Sequence, residues 1–556
     1  MRRTKRRLGE MLIEAGLITT SQLDEALEQK RSGEKLGDAL IRLNHITETQ
    51  LIQMIHEQLQ VPIIALYSHD INVTVTKLVP KALAQKHDIM PFELNGNTLH
   101  IATADPLDLI AIDDIRLQTG MNIELGIATR EQIRKTISRY YEMDHSLIEI
   151  LKEDAPEIER QETASRDDAP IIRLVNQLFL SAIDQRASDI HFDPHEKQLH
   201  VRFRIDGDLR TETVYPKKIQ SVMLTRLKVM SNLDITESRL PQDGRIKYTL
   251  RNRAYDFRVS TLPTMYGEKI VIRVLDSSQG LTDLTKLGFG ERNEQSYRDM
   301  LKRPNGIILI TGPTGSGKSS TLYASLKELN DETKNIITVE DPVEYQLDGI
   351  NQVQVNSKVG LTFASGLRSI LRQDPNIVMV GEIRDTETAE IAIRASLTGH
   401  LVLSTLHTNS AISSITRLVD MGVEPFLVAA STTGLVAQRL VRRVCRDCGH
   451  AEPVSKSEQS LFEAERVHIE QVVRGKGCTS CNFTGYRGRL AIHEVIPIDE
   501  GLRRMIMNQA TESEMVDYAK SQGATFLLAD GLEKVAAGLT TTEEILRTVI
   551  TENAYD

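Results

Sequence analysis

Tryptophan is missing from this 556-residue chain, and aromatic residues together make up 4% of it. Platforms for single-stranded nucleic acid are built from stacked rings, so that function class lacks its usual equipment here. An excess of positive charge is missing too. The 67 lysines and arginines face 77 carboxylates, for a formal net charge of -10. Non-specific attraction to a phosphate backbone is therefore not favoured, and no direct nucleic-acid partner is expected. Cysteine is scarce, with four residues in two C-x-x-C pairs, which suits a cytosolic chain better than a disulfide-stapled one. No apolar run reaches the roughly 18 residues of a membrane span. The start, MRRTKRRLGEML, is basic but has no apolar core of a secretory signal. At this length, about three or four domains are expected.

What is present is concentrated first at residues 307–320, IILITGPTGSGKSS. An apolar strand pattern runs straight into Gly312, Pro313, Thr314, Gly315, Ser316, Gly317, Lys318, Ser319 and Ser320, and a helical pattern follows from Thr321. This is a P-loop in the context that the motif needs. The glycines let backbone N–H groups turn inward around phosphates, and the helix offers its positive end. Lys318 can reach the β- and γ-phosphates of ATP, and the Ser319 hydroxyl can ligate Mg²⁺.

The amino terminus repeats itself. Arg7-Leu8-Gly9-Glu-Met-Leu-Ile returns 28 positions later as Lys35-Leu36-Gly37-Asp-Ala-Leu-Ile. Thr19 and Thr47 stand at matching places as N-caps of second helices, so each copy is read as helix, turn, helix. Gly9 and Gly37 lie early in helices, where alanine is the better former. A close approach by backbone or ligand is the expected reason. From Val61 to Tyr141 short strands and helices alternate, with Ala104-Asp105-Pro106 between them. Residues 151–168 are acidic, proline-interrupted and poor in apolar side chains, which reads as a linker.

Before the P-loop, arginines interrupt apolar strands at Arg258 and Arg273. Taken alone, strand arginines are usually paired or solvated. Beyond the P-loop, Ile336–Glu340 leads into Asp341 and Glu344, and Ile377–Val380 leads into Gly381-Glu382. In open α/β sheets catalytic groups collect at such strand ends. His400 and His407 flank another apolar strand. Cys445-x-x-Cys448 and Cys478-x-x-Cys481, separated by residues 449–477, form two knuckles that can close a tetrahedral structural Zn²⁺ site, with a redox pair as the alternative.

The order G-x-x-x-x-G-K-S, E-D-P-x-E, V-G-E-x-R-D and G-H-x-x-x-x-T-x-H resembles that of the traffic ATPases of type II secretion and type IV pilus assembly, over nearly everything from residue 170 on. The resemblance implies a multidomain α/β fold. A RecA-like P-loop ATPase domain would span 285–556 and a PAS-like domain 170–280. A linker would fill 146–169, a small α/β domain 61–145, and the tandem-repeat module 1–60. It implies that Arg258 and Arg273 reach a γ-phosphate, that Glu382 holds Mg²⁺ and Glu344 orients water (or the converse), and that His407 faces the nucleotide. The doubled R-L-G pattern resembles the cyclic di-GMP-binding domain of MSHA-pilus extension ATPases. That resemblance implies Arg7, Leu8, Gly9 and Gln29 from the first copy, Lys35, Leu36 and Gly37 from the second, and Asp105 as ligand contacts. Asn44 stands where the repeat has glycine, and Glu57 where it has glutamine. The whole implies a cytoplasmic homohexamer, peripheral to the inner membrane, acting on a platform protein for pilus extension or, alternatively, for secretion.

Overall fold

The computed structural model describes residues 7–141, 170–276 and 283–550, apart from 32–33, 65, 67–70, 72, 77, 135, 138–139, 251–252 and 466. The linker read from residues 151–168 lies outside the described residues. Backbone contacts divide the chain into two compact units, one of residues 1–276 with 477–484, the other of 277–476 with 485–556.

In the first unit, the repeat folds as four short helices: α1 (Leu8–Glu14), α2 (Thr20–Glu28), α3 (Leu36–Arg42) and α4 (Glu48–Leu59). The Thr19 and Thr47 hydroxyls both accept from the N3 backbone N–H, and their own backbone N–H groups donate to the N3 glutamine oxygen, forming the same capping box twice. Gly16 and Asn44 close the first helix of each copy with positive φ, at 70° and 58°. Asparagine is the side chain that best tolerates this left-handed turn, so the departure from glycine preserves the backbone. A three-stranded sheet follows, β1 (Ile89–Asn95), β2 (Thr98–Thr103) and β3 (Asn122–Ile127), in the order β1-β2-β3.

The same unit holds a six-stranded antiparallel sheet, ordered β6-β5-β4-β9-β8-β7. Its strands are β4 (Asp189–Pro194), β5 (Gln198–Ile205), β6 (Asp208–Pro216), β7 (Gln242–Leu250), β8 (Arg253–Thr264) and β9 (Gly267–Asp276). Burial alternates residue by residue along β5, as expected when one face is covered. Helices Pro170–Asp184 and Lys217–Met230 supply the cover through Leu174, Phe179, Met223 and Leu227, which pack on Phe203 and Phe257.

The second unit is built on seven strands ordered β12-β11-β13-β14-β10-β15-β18. They are β10 (Gly306–Thr311), β11 (Ile336–Glu340), β12 (Asn351–Gln354), β13 (Ile377–Val380), β14 (Leu401–Leu406), β15 (Thr432–Val444) and β18 (Tyr486–Pro497). All neighbours run parallel except β15 with β18. The strands alternate between two cores. Ile307, Leu309, Val378, Val380 and Val402 enter one; Ile308, Ile310, Ile377, Met379 and Leu403 enter the other. A parallel sheet covered on both faces requires such continuous apolar strands. A small ribbon of β16 (Gly449–Pro453) and β17 (Gln471–Gly475) lies between β15 and β18 in the chain. Among the described residues, no helix is long and apolar enough to cross a membrane.

Candidate functional site

The end of β10 turns directly into the P-loop, and helix Lys318–Leu329 starts at its far side. Gly312, Gly315 and Gly317 all have positive φ. At Gly312 a Cβ would lie 2.4 Å from the Gln438 carbonyl oxygen, so glycine is required there by contact as well as by conformation. The Lys318 ammonium donates to the carbonyls of Gly312 (2.7 Å) and Pro313 (3.0 Å), folded over its own loop. Burial pulls its pKa down to about 8, with the Glu382 carboxylate opposing that shift and Arg439 adding to it. Ser319 and Ser320 are exposed.

The acids sort by environment. Glu340 ends β11 and is buried, its carboxylate held by Tyr323, by Thr338 (2.6 Å) and by Gln352 (3.0 Å). Glu344 stands four residues past the strand, its N–H donating to the Tyr323 hydroxyl at 3.0 Å. Glu382 follows β13, pairs with Arg384 (2.5 Å), and is the carboxylate whose charge reaches Lys318. The two histidines part company because β14 spans the residues between them. His407 Nε2 lies 3.4 Å from Glu382 Oε2, while His400 Nδ1 lies 2.9 Å from the Ala395 carbonyl, at the opposite end of the strand. Lys318, Glu382 and His407 thus form one cluster at the carboxyl ends of the strands.

Arg258 and Arg273 belong to the other compact unit. They are direct cross-strand partners on β8 and β9, and the register extends the row to Arg245 on β7, Asp189 on β4 and Arg204 on β5. Arg273 Nε donates to Asp189 at 3.2 Å, and Arg245 pairs with Asp256. Like charges placed directly opposite cost about 0.2–1 kcal/mol per pair. The row of four arginines is offset by carboxylates, Asp189 lying beside both Arg273 and Arg204 (3.8 Å) and Asp256 beside Arg245.

The four cysteine sulfurs all lie within 4.8 Å of one another, and Sγ of Cys478 and Cys481 are 3.7 Å apart. Tetrahedral bonds of ~2.3 Å to a zinc ion place sulfurs ~3.8 Å apart, so the donor set fits Zn²⁺ in both identity and spacing.

In the repeat, both glycines lie against a leucine side chain. A Cβ on Gly9 would meet Leu23 at 2.9 Å, and on Gly37 it would meet Leu51 at 2.6 Å. Each glycine admits the leucine of its own copy's second helix. Leu8 and Leu36 pack partly buried against the same core. Arg7 and Lys35 precede α1 and α3 as N-cap residues. Lys35 forms an ion pair with Asp105, so the second copy and the Ala104-Asp105-Pro106 turn do meet. Arg130 binds Asp38 (2.9 Å) beside them. Gln29 closes α2, its side-chain amide donating to Glu25 at 3.2 Å.

A family model described as "Type II/IV secretion system protein" matches residues 164–547. The chain belongs to that family. It is 46% identical to the type IV pilus assembly ATPase PilB of Myxococcus xanthus, over 97% of this chain and 98% of the relative. It is also 46% identical to the type II secretion system ATPase E of Vibrio cholerae, over 80% of this chain and 90% of that one. The members of this secretion and pilus family are ATPases, and so is this protein. A second model, the MshEN domain, matches residues 59–147 and so begins where the helical repeat ends. Among solved structures, the ATPase DotB of Legionella pneumophila shares the fold at 20% identity, with a TM-score of 0.52 over 71% of this chain and 98% of that one.

Two residues of this secretion-family ATPase escape motif reading. Gln438 and Arg439 sit on β15, 127 and 128 positions after Thr311, yet both touch the P-loop region. Arg439 is buried, and its guanidinium donates to the Asn409 carbonyl at 2.8 Å in the turn after His407. A polar pair in an otherwise apolar stretch of the strand, Val436-Ala437-Gln438-Arg439-Leu440-Val441, is the signal that could have marked them.

Proposed function

We propose that this ATPase forms a homohexameric ring at the cytoplasmic face of the inner membrane and powers extension of a type IV pilus of the MSHA kind, acting on a membrane platform protein. The observation that carries the reading is the end-to-end correspondence with a pilus assembly ATPase, 97% of this chain on 98% of the relative. The secretion relative leaves a fifth of this chain unmatched.

In this reading ATP lies along residues 312–320. Lys318 exchanges the carbonyls of Gly312 and Pro313 for the β- and γ-phosphates, whose negative charge opposes the lowering of its pKa by burial. Ser319 and Glu382 would hold Mg²⁺, which neutralises charge developing on the phosphates. Glu344 orients the attacking water, and His407 senses the γ-phosphate through Glu382. Arg258 and Arg273 supply positive charge to the transferring phosphoryl group of a nucleotide. Cys445, Cys448, Cys478 and Cys481 hold a structural Zn²⁺ that closes the loop between β15 and β18.

Cyclic di-GMP is the proposed regulator. Arg7, Leu8, Gly9 and Gln29 would take one half of the dinucleotide, and Lys35, Leu36 and Gly37 the other. Asp105 would yield Lys35 to a phosphate and turn to a guanine edge, a donor-rich partner for a carboxylate. The match of the MshEN model immediately after the repeat supports a sensor in this region.

The deciding experiment replaces the chromosomal gene with Lys318→Ala. Loss of surface pili with secretion intact supports the pilus reading. Loss of secretion with pili intact supports the alternative, a type II secretion motor, which the equal 46% identity to the secretion ATPase favours. Calorimetric titration of cyclic di-GMP into the full chain tests regulation. Saturable binding that Arg7→Ala abolishes is expected, and no binding at high micromolar ligand sinks it.

A further inference from the structure

The P-loop in this structure is wrapped around a side chain from a strand far away in sequence. β15 pairs with β10 up to Thr311 opposite Ala437. The next residue on each strand is then Gly312, the first of the loop, and Gln438. Gln438 is 1% exposed, and both ends of its amide are used. Nε2 donates to the Ser316 carbonyl at 2.9 Å, and Oε1 accepts from the Thr321 hydroxyl at 2.6 Å. The loop has closed down on it: a Cβ on Gly317 would lie 2.7 Å from Nε2.

A trans peptide is planar, with its carbonyl and N–H pointing opposite ways. Holding the Ser316 carbonyl toward Gln438 therefore turns the Gly317 N–H away from it. That N–H belongs to the residue immediately before Lys318, at the start of the helix, where backbone donors serve a bound anion. The Ser316 carbonyl can only accept, which settles which end of the amide is the donor, and the Thr321 hydroxyl holds the other end by donating to Oε1. An apolar side chain of the same length would fill the space but leave the Ser316 carbonyl without this donor and the peptide free to rotate.

We propose that Gln438 is a positioning residue of the ATPase, an internal clamp that pre-sets the Ser316–Gly317 peptide for phosphate. The inference rests on the assignment of nucleotide to residues 312–320. The clamp makes no contact with nucleotide itself. It acts through a peptide orientation that free loop motion would otherwise have to find at each binding event.

The test uses the full-length protein and a fluorescent ADP analogue with Mg²⁺, followed by steady-state ATPase kinetics. Gln438→Met is expected to weaken binding about tenfold, the factor that a lost hydrogen bond of ordinary strength commands. KM for ATP should rise in proportion, while kcat at saturation changes less than about threefold, as for a loss of uniform binding. Gln438→Glu adds a readout that simple packing does not move. Its carboxylate opposes the Ser316 carbonyl at high pH, but the protonated acid can donate again. Binding relative to wild type should therefore recover as pH falls. Affinity of Gln438→Met within twofold of wild type overturns the clamp, and so does a Gln438→Glu to wild-type ratio that is flat with pH. If Gln438→Met fails to fold, the Gln438→Glu profile decides alone. Lys318→Ala separates the two readings: unchanged binding there removes the nucleotide site itself, whereas lost binding there with an unaffected Gln438→Met removes only the clamp.

Discussion

The two large sheets solve opposite problems. The seven-stranded sheet is buried on both faces, so β10, β11, β13 and β14 are buried throughout and mostly apolar, and their charged groups are displaced to the strand ends. Lys318, Glu382 and His407 are all found there. The six-stranded sheet has one covered face, so its strands alternate, and the other face is free to carry charge along its whole width. Arg245, Arg258, Arg273 and Arg204 use that freedom. The difference teaches how each site is encoded. Strand-end chemistry is written in contiguous motifs, because one loop follows one strand. Chemistry on a sheet face is scattered, because each strand contributes one residue and register alone aligns them.

The comparison can be broken at the strand end first. Lys318→Ala should lower kcat/KM by about 10³-fold or more, since it removes a charge aimed at the transferring phosphoryl group. Retention of a tenth of the activity would mean that the cluster at the strand ends is not the catalytic one. The sheet face comes next. Arg273→Ala and Arg258→Ala should each cost on the order of 10²-fold in kcat with nucleotide affinity largely kept. Equal loss of affinity and rate would instead assign them to ground-state binding.

A third measurement concerns the strand that violates the rule. β18 is the antiparallel seventh strand, and it carries His493 and Glu494, both fully buried, into the covered sheet. Burial raises the Glu494 pKa to about 7, although the Ala411 N–H (3.0 Å) and Arg439 oppose it. The folded state therefore holds a proton that the unfolded state releases from pH ~4.5 upward. The contribution of Glu494 to stability falls by roughly 3 kcal/mol as pH rises from about 4.5 to about 7, then levels, while His493, held neutral by burial, contributes with the opposite sign. Glu494→Gln should remove that slope from the pH dependence of thermal unfolding. A slope identical to wild type would show that another group titrates.

The smallest effect sharpens the arginine row. Arg245 is largely exposed and paired to Asp256, so Arg245→Ala should change stability by no more than about 1 kcal/mol. Its ATPase rate should stay within about threefold of wild type, since Arg245 lies at the outer end of the row. A loss matching that of Arg258→Ala would widen the functional face by one strand.

Much of this was legible before folding. The P-loop, its preceding strand and its following helix were readable because phosphate binding needs successive backbone groups. The repeat was readable because Arg7-Leu8-Gly9 and the residues after it return 28 positions later from Lys35, with Thr19 and Thr47 at matching places. The four cysteines were readable because knuckle spacing is local. Other readings needed the fold. Gly9 and Gly37 marked a close approach, and only the helix packing shows Leu23 and Leu51 lying against them. His407 was legible as the histidine past the apolar strand, but only the fold sets its ring 3.4 Å from Glu382.

Local hydrogen-bonding and steric demands act over a few residues, so composition and spacing by themselves determined the elements, the phosphate loop, the cysteine knuckles and the duplicated helices. Register and strand order act between residues that the chain does not place together. They decided that Gln438 stands opposite Gly312, that four arginines share one row and that Glu382 is the acid facing Lys318, while packing of the repeat on the turn after β2 decided that Lys35 meets Asp105.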